Sequence, residues 1–224
     1  SIVRGITGLQ QQVQLSGHAA DQLLAAFRQE MVGSTWQTVD DVKWRYDQKA
    51  QASVLTIIGT WMVDWDDDGD GARSLALPGG GFSPPDRRVR PADQDQTLPF
   101  YTAPEFDCRV TTVRVPSGTK SENWSSKAGF DTRLFGRNYY RVFDIRDGSI
   151  RMIRSSRIER REIDAESAKR DNDRIASFDN SMGWISYNPA NRVSRDHSGK
   201  SVPATDEIDW TADTVPCLSP TASR

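Results

Sequence analysis

The run Val54-Leu55-Thr56-Ile57-Ile58-Gly59-Thr60-Trp61-Met62-Val63 is apolar or β-branched almost throughout, then breaks into Asp64-Trp65-Asp66-Asp67-Asp68-Gly69-Asp70-Gly71. β-Branched side chains are stiff at χ1 and pack well on a pleated surface, so the run reads as a strand. Its apolar character on both faces reads as a central strand covered twice. Five carboxylates within the seven residues that follow repel one another unless they are hydrated or share a cation. The chain is therefore expected to be built around sheet, with its most acidic point at a turn.

Other runs support that class. Leu9 to Leu15 alternates, with Leu9, Gln11, Val13 and Leu15 on one face, and reads as a half-buried strand. Leu23, Leu24, Phe27 and Met31 fall at helical spacing, predicting an amphipathic helix over about 19–32 that stops at Gly33. Val39 to Tyr46 alternates again, with Val42, Trp44 and Tyr46 on one side. Phe106 to Val115 reads as a strand ending at Pro116-Ser117-Gly118, and a short strand is expected around Trp124. Tyr139 to Ile145 and Ile150 to Ile158 flank Arg146-Asp147-Gly148-Ser149, a tight hairpin turn of the kind that needs positive φ. Asp164 is placed to cap a second helix, with Glu166 in its first turn and Ala168, Ile175 and Phe178 on its apolar side.

The predicted fold is α+β, mainly antiparallel β in β-sandwich-like units, with two amphipathic helices. Residues 1–77 form a β-α-β-β unit. Residues 78–104, rich in Pro and Gly, form a surface connection. Residues 105–180 form an antiparallel unit with a closing helix. Residues 181–224 are polar and read as an extended or disordered tail, with Trp184, Tyr187 and Trp210 as candidate anchors. A hydrophobic content of 36% and a mean hydropathy of −0.64 agree with part of the chain being unpacked.

Several function classes are disfavoured. A formal net charge of −2 argues against a dedicated nucleic-acid binder. No apolar run approaches the roughly 20 residues that cross a bilayer as a helix. The sequence opens at Ser1 with no signal peptide in view, which reads as a processed or excised fragment.

Asp66, Asp68, Asp70 and Gly71 reproduce the first half of a calcium loop, and these three aspartates are the candidate metal ligands. Leu77 stands where the closing bidentate Glu belongs, so the rival reading is a solvated turn. From Arg133 to Glu162 there are nine Arg, no Lys and four acids, alternating with apolar residues as in a sheet with one wet face. The alternative is a basic face for an anionic polymer. Trp36, Trp65 and Trp124 lie near predicted turns, where they are either sugar platforms or core anchors. Cys108 lies in a strand and Cys217 in the tail; a disulfide requires the tail to fold back, and the simpler reading is two free thiols. A cysteine hydrolase would pair Cys108 with His18 or His197, but a buried strand cysteine is the commoner outcome. No catalytic set is apparent.

Two stretches together resemble the region downstream of the catalytic core in bacterial transglutaminase-like proteins, which also carry an upstream β-rich domain of unknown function. One is Gln14-Leu15-Ser16-Gly17-His18-Ala19 with the helix, Trp36, Tyr46, Leu55 to Gly59, Asp64-Trp65 and Leu77-Pro78-Gly79-Gly80. The other is Arg109-Val110-Thr111-Thr112-Val113-Arg114-Val115-Pro116, Tyr139-Tyr140-Arg141, the hairpin and the closing helix. The resemblance spans about residues 8–180. It implies a non-catalytic accessory domain in the periplasm or envelope, partnered by an upstream catalytic domain of the same protein or by another envelope protein. The papain-like Cys-His-Asp motif of that core is absent from this chain, so no catalytic residue carries over.

Overall fold

The protein, described here as a computed structural model, is defined over residues 2–32, 36–61, 63–126, 129–146, 148–178, 183–191, 201–204, 207–210 and 217. Side chains are described there for all but Gly5, Ile6, Thr7 and Asp68. The chain starts with β1 (Ile2–Gly5), α1 (Ile6–Ser16), α2 (Ala20–Met31), β2 (Trp36–Asp47) and β3 (Ala52–Trp61). The acidic hairpin is β4 (Asp66–Gly69) and β5 (Ala72–Ala76). Then come β6 (Phe100–Tyr101), β7 (Glu105–Arg114), β8 (Trp124–Ser126), β9 (Phe130–Leu134), β10 (Arg137–Arg146) and β11 (Ser149–Ile158). Last are β12 (Glu162–Ile163), α3 (Ala165–Arg174) and β13 (Trp184–Tyr187). This is an α+β fold, mainly antiparallel β.

A seven-stranded sheet runs β2-β3-β1-β7-β11-β10-β9, and a four-stranded sheet runs β4-β5-β13-β8. Both draw strands from each half of the chain, so the expected division into separate units at 1–77 and 105–180 does not describe how the sheets are built. The joint is β1, which pairs Ile2 with Val54 on one side and with Cys108 on the other. The small sheet lies over the large one as a second layer. Leu75, Leu77, Trp124 and Ile185 pack there against Phe143, Ile145, Ile150 and Met152.

Residues 9–15 form a helix rather than the expected strand. Four glutamines are good helix formers, and both edges of β1 are already taken, leaving no ladder for this segment. Gly8 lets the helix turn straight back on β1, since a Cβ there would lie 2.8 Å from the Val3 carbonyl oxygen. The short alternation of Leu9 and Val13 is in fact one helical turn.

β3 is also not the twice-covered central strand its composition suggested. It stands one place from the sheet edge, buried at Ala52, Ser53 and Val54 but with Ile58 48% exposed. By contrast, α2, β2, β7, β8, the β10–β11 hairpin and the Asp164 cap fall where local pattern put them. Gly148 has φ +79°, and the Asp164 carboxylate accepts from the Ser167 amide.

The connection 78–104 is irregular up to β6 but is not only surface. Phe82 is buried with Tyr139 and Phe178. Arg88 and Asn172 exchange two hydrogen bonds, tying the connection to α3.

The tail departs most from expectation. β13 is an inner strand of the small sheet, and Val202, Ile208, Trp210 and Cys217 are buried against Ile2, Val54, Phe106 and Ile153. Cys217 forms a disulfide with Cys108, with Cα atoms 6.0 Å apart and 109 residues between them. The free-thiol reading is thereby corrected: the tail folds back, as pairing required.

Because that bond closes a long loop, replacing both cysteines by Ala should cost about 2–5 kcal/mol in urea unfolding. The midpoint of the wild-type chain should fall similarly on adding reductant. An unchanged midpoint in both experiments would mean that the fold does not depend on the bond.

Candidate functional site

Side chains alternate across β7, β10 and β11, and each face holds a piece of irregular chain. On one face Phe106, Cys108 and Val110 join Tyr140 and Ile153 beneath the C-terminal segment. Buried backbone groups need partners, and an irregular segment has no ladder to supply them. Here the sheet's side chains do so. Val202 donates its amide to Asp144 Oδ2 at 2.9 Å and accepts from Arg151 at 2.9 Å. Ser155 donates to the Cys217 carbonyl, and Arg146 donates to Ser201 Oγ. Asp144, in turn, holds the Arg146 guanidinium at 2.7 Å and raises its pKa through that hydrogen bond and charge.

On the other face Arg141, with no exposed surface, donates to the Gly80 carbonyl at 2.9 Å. Arg154 donates to the Gly81 carbonyl, pairs with Asp107 and lies 4.4 Å from the Phe82 ring centroid. Burial pushes the Arg154 pKa down, and the neighbouring Asp107 carboxylate opposes that shift. Burial also pushes the Tyr139 and Tyr140 phenols up. The expected single wet face on this Arg-rich hairpin is therefore absent. β10 and β11 are covered on both sides, and several of their arginines act as adaptors between sheet and loop.

The aspartates predicted as metal ligands stand on the β4–β5 hairpin. Asp66 lies opposite Ser74 and Asp67 opposite Arg73, with Asp67 Oδ1 accepting from the Gly69 amide. Asp66 and Asp70 are exposed, and Asp70 has φ +51°. The Asp68 side chain lies outside the described set. Among the described residues no group of three His, Cys, Asp or Glu side chains converges as metal ligands would.

The thiol of the hydrolase reading is not available, because Cys108 is bonded to Cys217. His18 is exposed at the α1–α2 turn, and His197 lies outside the described residues. Of the candidate sugar platforms, Trp124 is buried and Trp65 packs beside it with centroids 6.0 Å apart. Trp36 starts the edge strand β2. The Trp65 and Trp124 indoles serve packing.

Two open grooves stand out among the described residues. One, of about 450 Å³, lies by the acidic hairpin and is lined by Ser125, Ser186, Tyr187, Asn188 and Asn191. The other, of about 340 Å³, lies at the end of the large sheet, where Arg4, Phe106, Arg157 and Arg161 meet. No sequence signal announced either, since their walls come from segments far apart in the chain.

Comparison with known protein families, with curated proteins and with solved structures finds no match.

Arg154→Met keeps volume but leaves Asp107 and the Gly81 carbonyl without their donor. Thermal or urea unfolding should show a loss of about 1.5–3 kcal/mol. Adding Asp107→Asn should recover part of it, because the orphaned charge is then gone.

Proposed function

We propose that this chain is a non-catalytic accessory domain that docks on a partner in the bacterial envelope. The observation that carries the reading is an apolar stripe on α1, where Leu9 is 47% and Val13 77% exposed one turn apart. Solitary exposed apolar residues are ordinary, but a pair aligned on one helix, with Val32 also exposed after α2, is the kind of surface a partner covers. The disulfide agrees with the periplasmic or envelope location that the resemblance to transglutaminase-like proteins implies, since such bonds persist in oxidising compartments. That resemblance supplies the expected partner, an upstream catalytic domain of the same protein or another envelope protein. The interaction then runs through the outer side of α1 and the end of α2.

The test is co-purification from envelope extracts with Leu9→Ser and Val13→Lys introduced together. The doubly substituted chain should keep its melting temperature and lose its partner. Hydrolase or transferase turnover by the isolated wild-type chain would overturn the proposal.

Calcium-dependent binding through Asp66, Asp68 and Asp70 is a separable reading, favoured by the exposure of Asp66 and Asp70 at a hairpin end. A bound ion raises the melting temperature by mass action. Supporting it needs such a rise at millimolar calcium that Asp66→Asn abolishes; no shift and no calorimetric heat would remove it.

A further inference from the structure

We propose that the groove at the end of the large sheet binds a small oxyanion carried on an apolar body. Register places its parts. Phe106 of β7 lies opposite Arg4 of β1 on one side and opposite Arg157 of β11 on the other. Directly paired residues of antiparallel strands share a face, so Arg4 and Arg157 stand on the Phe106 side of the sheet, with their backbones roughly 10 Å apart at two strand spacings. Arg161, three residues beyond β11, adds a third cation to the wall. Phe106, Pro104 and Ile158 supply apolar surface within the same 340 Å³ space.

The charge balance favours an anion. Two carboxylates also line the groove, but each is engaged: Glu105 pairs with Arg137, and Glu159 pairs with Arg133 at 2.9 Å. Arg157 and Arg161 are exposed, and no carboxylate pairs with either among the described residues. Arg4 is held in place by its bond to the Trp210 carbonyl and by the Phe106 ring 5.6 Å from its Cζ. One arginine is thus fixed by the C-terminal segment, while the other two are carried at and just beyond the end of a rigid strand. Planar guanidinium forks suit phosphate and carboxylate oxygens, and exposed Pro104 with the accessible margins of Phe106 and Ile158 offers a small apolar body a place beside them. The site is independent of the α1 surface, so either proposal can fail alone.

The probes are phenyl phosphate and benzene-1,3-dicarboxylate, titrated into the full chain by calorimetry, with inorganic phosphate as the body-less control. At least one aromatic probe should bind at millimolar concentration or below, more tightly than inorganic phosphate and less tightly as salt is added. The better of the two probes identifies the phosphate or the carboxylate as the natural group. Arg157→Glu and Arg161→Glu should each weaken binding roughly tenfold or more, the loss of one charge-assisted contact. Arg114→Glu, an exposed change at the opposite end of β7, should leave it unchanged. Absence of binding by both aromatic probes, equal weakening by Arg114→Glu, or inorganic phosphate binding as tightly as phenyl phosphate would each overturn the proposal.

Discussion

The tie between the C-terminal segment and the β7–β11 face is what the rest of the structure depends on. That face carries Ile2, Val54, Phe106, Cys108 and Ile153, a broad apolar surface that water would otherwise cover. Burying apolar surface of this kind is the main favourable term in folding. The cover, however, is irregular chain whose backbone polar groups would be stranded by the same burial. Asp144, Arg151 and Ser155 resolve the conflict by reaching out of the sheet to bond that backbone. The disulfide fixes the last of these contacts in register with Cys108.

The opposite face solves the same problem with other residues. Gly80 and Gly81 lie over the sheet, and their carbonyls accept from Arg141 and Arg154. The buried aromatic Phe82 then lies against Arg154 and Tyr139. A guanidinium has five donors in a rigid fork and a face that stacks on rings, which explains why these strands carry arginine without a single lysine. An Arg-rich hairpin can therefore be buried on both sides, provided each charge meets a carbonyl, a carboxylate or a ring.

The two proposed surfaces follow from where this covering stops. α1 shields β1 and β3 but leaves its own outer side bare at Leu9 and Val13. At the other site the C-terminal segment covers Phe106 and meets Arg4 at the Trp210 carbonyl, while Arg157 and Arg161 stand exposed at the groove beside it. The first surface suits a macromolecular partner. The second is small and charged enough for a single anionic ligand.

What the sequence by itself determined was local. The two-residue alternation of Val39 to Tyr46, the Asp-Gly turn between Tyr139 and Ile158, the helix over residues 20–31 and the Asp164 cap each rest on neighbours within a few positions. The same locality misled for Leu9 to Leu15, whose alternation over seven residues suits strand or helix until the occupied edges of β1 decide. Only the tertiary structure decided that β1 joins both halves into one sheet, that Trp184 to Tyr187 enters the small sheet, and that Cys217 meets Cys108. It also gathered Arg4, Arg157 and Arg161 into one groove from opposite ends of the chain. Such contacts depend on which edges and faces remain open after the strands have paired, and hydrophobic burial rewards any segment that closes them, whatever its distance along the chain.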